Sequence, residues 1–139
     1  MIDLFQKVDF KSHAGLDLTW KIEMDALSQK EWECICTMIM DHTVPFSEAI
    51  GIPTGGVKLG KLLNQYGTGK AEDPILIVDD VLTTGGSMNE FYRKRHWRNP
   101  SKYIGWVVFA RTKPPEWVNA LFQMPRLWVD DPTNPEYHK

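Results

Sequence analysis

Asp79 and Asp80 stand side by side, and two apolar residues later come Thr83, Thr84, Gly85, Gly86 and Ser87. Adjacent carboxylates accept hydrogen bonds from hydroxyls and attract cations. A glycine-containing loop that runs into a helix offers unpaired N–H groups and a favourable dipole to an anion. Carboxylates would repel a phosphate bound beside them unless they hold sugar hydroxyls or a cation. The pattern therefore asks for a sugar phosphate with Mg²⁺ rather than a bare phosphate. The plain alternative is an ordinary strand-to-helix turn, in which the acids cap the helix and the glycines only permit tight geometry.

The elements around these residues suit the task. Ile75, Leu76, Ile77 and Val78 form a short apolar run, as expected of a strand buried on both faces of a parallel sheet, and the acids stand where it ends. A helix is predicted from residue 86 to about 94. A second loop, Pro53, Thr54, Gly55 and Gly56, follows a predicted strand over residues 46–52 and precedes a helix over 57–65. Its paired glycines let backbone N–H groups come close to a diphosphate, and Lys58 adds a positive charge nearby. Residues 104–110 read as a further buried strand. Residues 116–122 read as a short helix with Pro114 and Pro115 at its start, and residues 126–129 as a last strand. Strands alternating with helices predict an α/β fold with a parallel sheet flanked by helices. Ligands of such sheets bind beyond the strand C-termini, where both loops are expected to share one crevice.

Before the sheet, Leu18, Trp20, Ile22 and Met24 alternate with Thr19, Lys21 and Glu23, the period of a half-buried strand. Ser28 and Glu31 have the spacing of a capping box. Trp32, Ile35, Cys36, Ile39 and Met40 then follow as one apolar helical stripe. Cys34 and Cys36 are the only cysteines and are read as buried thiols. The four histidines show no ligand spacing. With 139 residues, 42% hydrophobic and 24% charged, the chain is expected to be a single globular domain: an N-terminal unit over 8–24, an α/β core over 25–129 and a polar tail over 130–139. A net charge of −2 argues against broad affinity for nucleic acid. No apolar run approaches the ~20 residues of a membrane span and no signal-peptide pattern is present, so a cytoplasmic location without membrane or nucleic-acid partners is expected.

The run over residues 75–87 closely resembles the phosphoribosyl pyrophosphate (PRPP) signature of type I phosphoribosyltransferases. The resemblance implies that Asp79 and Asp80 engage the ribose hydroxyls around a Mg²⁺ held mainly through substrate and water. It implies that Thr83, Thr84, Gly85, Gly86 and Ser87 bind the 5′-phosphate. Thr54, Gly55 and Gly56, with Lys58, resemble the same family's pyrophosphate loop. Phe10, Gly15, Trp20 and Ile22 are similar in kind to the orotate enzymes' hood segment, with His13 standing at the family's lysine as a further diphosphate contact. Members acting on 6-oxopurines carry Asp three residues after the second acid. Thr83 takes that place here, as in orotate-type enzymes, which favours a pyrimidine such as orotate. Trp106 and Trp117 are candidates to stack on the base. The resemblance also implies a homodimer.

One departure is plain. Orotate enzymes place a long mobile, cation-bearing loop between the two motifs, whereas here only residues 57–74 intervene. Lys70 is the one cation in their exposed part, a candidate loop catalyst. The expected activity is transfer of ribose 5-phosphate from PRPP to a base. The alternative is a PRPP- or nucleotide-sensing regulatory protein on the same fold. A third possibility is a site completed by cations from another subunit.

Overall fold

The computed structural model describes residues 4–6, 10, 11, 17, 18 and 21–124. The N-terminal part holds four two-residue strands, β1 (Phe5–Gln6), β2 (Phe10–Lys11), β3 (Asp17–Leu18) and β4 (Lys21–Ile22). β1 pairs antiparallel with β4, and β2 with β3. The single alternating strand expected here is thus divided between two hairpins. Met24 belongs to a 3₁₀ turn, Met24–Ala26, and its side chain is buried in the main core.

Ser28 caps α1 (Gln29–His42). Its hydroxyl accepts the Glu31 N–H, and the Glu31 carboxylate accepts the Ser28 N–H at 2.8 Å, a reciprocal capping box as expected. Trp32, Ile35, Cys36 and Ile39 face inward, as the stripe predicts. Cys34 is exposed, because a residue two positions from Cys36 points away from the buried face.

The centre is a four-stranded parallel sheet in the order β5 (Ala49–Gly51), β6 (Ile75–Leu82), β7 (Tyr103–Ala110), β8 (Val118–Gln123). Side chains of β6 alternate between two cores. Leu76 and Val78 face α1 and α2 (Val57–Asn64), while Ile75 and Ile77 face α3 (Gly86–Arg98). Leu76, Ile77 and Val78 are wholly buried, each contributing about 1.5–3 kcal/mol of burial free energy.

The predicted helix over 116–122 is instead mostly strand β8. Residues 111–117 run back along β7, so Val118 pairs with Gly105. Seven residues are few for a parallel crossover, which usually needs a dozen or more. The link lies against the start of α3: Pro115 packs beside Gly85, Thr112 Oγ1 donates to the Thr83 carbonyl at 3.2 Å, and Trp117 Nε1 donates to Asn89 Oδ1 at 2.9 Å. The expected last strand over 126–129 and tail over 130–139 lie outside the described residues.

Candidate active site

The register of β5 on β6 sets the first loop. Gly51 pairs with Val78, and the Ile52 N–H donates to the Val78 carbonyl at 2.9 Å, so the chain leaves β5 level with the two acids. The loop closes when the Gly56 N–H donates to the Ile52 carbonyl at 2.8 Å. The Pro53–Thr54 peptide bond is cis. Gly55 lies so close to Asp80 that a Cβ there would fall 2.7 Å from Asp80 Oδ2. Only glycine leaves room for that approach.

β6 continues through the acids to Leu82, rather than ending before them. Both carboxylates are half-buried and bonded to the chain: Asp79 Oδ1 accepts the Asp80 N–H at 2.9 Å, and Asp80 Oδ1 accepts the Val81 N–H at 2.7 Å. Burial first, and then the charge of Asp80, pushes the Asp79 carboxyl up to about 8. Burial also raises Asp80. Two adjacent buried acids form a site that gains from hydroxyl donors or from a divalent ion.

Beyond Leu82 the chain turns at Gly85, whose φ of +88° is left-handed and so suited to glycine. Thr84 Oγ1 accepts the Gly86 N–H at 3.2 Å. Gly85 is the N-cap of α3 and supplies no side-chain cap, so first-turn N–H groups after that of Gly86 can face an anion.

These pieces line one cavity of about 340 Å³, within the size of small-ligand sites. The lining brings together Thr54 and Gly55, Asp79 and Asp80, and Thr83, Thr84, Gly85 and Ser87. Gly56 and Gly86 are not part of this lining. Lys58 lies outside it, with its ammonium 5.7 Å from the Trp32 ring centre. Lys70 is also outside: its loop is tied back where the Thr68 and Gly69 N–H groups donate to the Phe46 and Ser47 carbonyls at 2.8 and 3.0 Å. Neither Trp106 nor Trp117 reaches the cavity. Trp106 is buried in the core and Trp117 is packed on Tyr92 at 5.0 Å, so neither is placed to stack on a ligand. His13 lies outside the described residues.

Two cations that sequence reasoning passed over do line the cavity. Arg111, only 4% exposed, is the one buried charged residue among those described. It follows β7, and its N–H donates to the Leu82 carbonyl at 2.8 Å. A charged residue directly after an apolar strand is the signal it carried, the same signal that marked Asp79. Lys21 lines the cavity from β4 together with Ile22, and its ammonium pairs with Glu23 at 2.8 Å. That pairing holds the Glu23 carboxyl below its usual range.

Among the described residues no three His, Cys, Asp or Glu side chains gather as metal ligands. Two adjacent carboxylates nevertheless fit Mg²⁺, which commonly takes one or two carboxylates and fills its sphere with phosphate oxygens and water. No helix among the described residues is long and apolar enough to cross a membrane.

No family model matches the sequence, and no curated protein matches it. Solved structures do. The chain superposes on orotate phosphoribosyltransferase from Aeropyrum pernix with a TM-score of 0.71 at 17% identity, covering 88% of this chain and 89% of that one. Orotate phosphoribosyltransferase from Francisella tularensis gives 0.60 at 13% identity, over 88% and 81% of the two chains. UMP synthase from Leishmania donovani gives 0.66 at 15%, over 87% of this chain and 34% of the longer one. The fold is that of the type I phosphoribosyltransferases. Within that class its arrangement is orotate-phosphoribosyltransferase-like, a parallel sheet flanked by helices with a small antiparallel N-terminal unit.

Proposed function

We propose that this chain transfers ribose 5-phosphate from PRPP to a nitrogenous base, releasing pyrophosphate. The observation that carries this reading is the single cavity joining a glycine loop, a pair of buried acids and an open helix N-terminus. The sheet order supports a division of labour. Successive strands β5, β6 and β7 deliver the 53–56 loop, the acids and Arg111, so the diphosphate sits on one side of the ribose and the base on the other. Asp79 and Asp80 hold the ribose hydroxyls. Residues 83–87 hold the 5′-phosphate, and Thr54, Gly55 and Gly56 the pyrophosphate. Such placement suits a displacement in which the C1–O bond to diphosphate breaks, diphosphate leaves with the electron pair, and a ring nitrogen forms the new bond to C1.

The protein's contribution is to position the reactants and to stabilise charge that grows on the leaving group. Bound Mg²⁺, held through Asp79, Asp80 and substrate oxygens, would neutralise diphosphate charge. Arg111 supports the choice of base. A buried guanidinium at the base side fits a carboxylate, which favours orotate over a neutral purine. The proton on the attacking ring nitrogen leaves as the bond to C1 forms and passes to the departing diphosphate or to water.

Incubation with PRPP, Mg²⁺ and orotate, uracil, hypoxanthine, guanine or adenine, followed by chromatography, tests the assignment. Orotidine 5′-monophosphate from orotate, well above any other nucleotide, is the expected product. A purine nucleotide alone would overturn the choice of base.

A further inference from the structure

We propose that the outer face of α3 is a docking site for single-stranded nucleic acid, centred on Trp97. The Trp97 side chain is 87% exposed, whereas no other large apolar residue among those described exceeds the 56% of Val44. The inner face of the same helix already holds its share of the core through Met88, Phe91 and Tyr92. Packing therefore gives no reason for an indole on the opposite side.

The surroundings of that indole are cationic. Residues 93–102 contain Arg93, Lys94, Arg95, Arg98 and Lys102 and no Asp or Glu, although the whole chain has a net charge of −2. Arg93 and Lys94 precede Trp97 by four and three residues, so on a helix they flank it. Arg93, Lys94, Arg98 and Lys102 are all exposed. Lys94 is shared with Glu90, the one acid on this face, at 2.9 Å. Arg93, Arg98 and Lys102 form no ion pair among the described residues. Cations near a helix C-terminus do favour the dipole. That explains Arg95 and Arg98 but neither Lys102, beyond the helix, nor the bare indole.

A flat aromatic ring framed by phosphate-binding cations is the arrangement that single strands use, with bases stacking on the ring and the backbone following the charge. The other occupants fit less well. An interfacial membrane helix needs a broad apolar face, and this one offers a single ring. A two-fold contact with a second copy would set like charges against each other. The low overall charge still argues against broad coating of duplexes, so the site is local. It lies about 16 Å along the helix axis from Gly86, which leaves the cavity undisturbed by surface variants.

The test is fluorescence anisotropy of labelled 12-nucleotide single-stranded RNA and DNA, titrated with the full chain at several salt concentrations. Saturable binding is expected, with a log–log salt slope of about −2 for three neutralised phosphates. Trp97→Ala should weaken it about tenfold, and Arg93→Gln with Arg98→Gln should flatten the slope. Unchanged melting temperatures would confirm that these exposed variants fold. No saturable binding at low salt, or binding indifferent to both variants, overturns the proposal. So does a Trp97-dependent affinity confined to anionic vesicles, or a Trp97-dependent self-association seen by sedimentation without oligonucleotide binding.

Discussion

Gly55 and Asp80 are in such close contact that a side chain on the first would collide with the carboxylate of the second, 2.7 Å from Oδ2. The carboxylate cannot easily yield, because the Val81 N–H holds its other oxygen at 2.7 Å. The loop and the acid therefore set each other's position. Gly55→Ala is expected to displace the loop, costing about 1–3 kcal/mol of stability and weakening PRPP binding at least about tenfold. Chemical denaturation and calorimetry measure the two effects.

The raised acids give a pH dependence with a definite sign. Asp79 titrates near 8 in the native state against 3.8 for the ordinary carboxyl, with burial the leading cause and the charge of Asp80 next. Between those values the native state binds more protons than the unfolded chain, so stability should fall as pH rises from about 4 to 8. Asp79→Asn should flatten that fall and raise stability at pH 8 by on the order of 1 kcal/mol, while lowering kcat/KM at least about a hundredfold. Binding of PRPP with Mg²⁺ should release protons at pH 7, read by calorimetry in buffers of different ionisation enthalpy.

Arg111 should govern the base rather than the sugar phosphate. Arg111→Gln is expected to raise KM for the base about ten- to a hundredfold and to change PRPP affinity less than about threefold. Separate titrations of the two substrates check this.

Lys21 lines the cavity, whereas Lys58 and Lys70 stand outside the lining. Lys21→Ala should lower kcat/KM about tenfold, and Lys58→Ala or Lys70→Ala less than about threefold. Steady-state kinetics of the three variants decides between the hood and the loop as the source of charge.

Much of this site was legible because its signals are local. Four apolar residues, two acids and a hydroxyl–glycine run are near-contiguous, and they define the strand, the acid pair and the glycine loop before α3 together. The capping box at Ser28 and Glu31 is legible for the same reason. β8 was not. Val118, Asn119, Ala120, Leu121, Phe122 and Gln123 lack strand alternation, and two prolines before them suggest a helix start. Pairing with β7 decides the matter, through a crossover too short to expect, and tertiary pairing outweighs propensity in such a segment. Lys21 was hidden by an alternation that assigned it to solvent, when it faces the cavity beside Ile22. Arg111 was hidden because its burial comes from neighbours far away in sequence. The tryptophans misled in the opposite direction, since Trp106 and Trp117 serve packing.

The central claim is tested most directly by pyrophosphate release from PRPP and Mg²⁺, measured with and without orotate, beside Asp80→Asn as control. Release that requires the base and falls at least about a hundredfold in the variant is predicted. No base-dependent release with any base, while calorimetry still shows Mg²⁺-dependent PRPP binding, would contradict a transferase and leave a PRPP-binding protein on this fold.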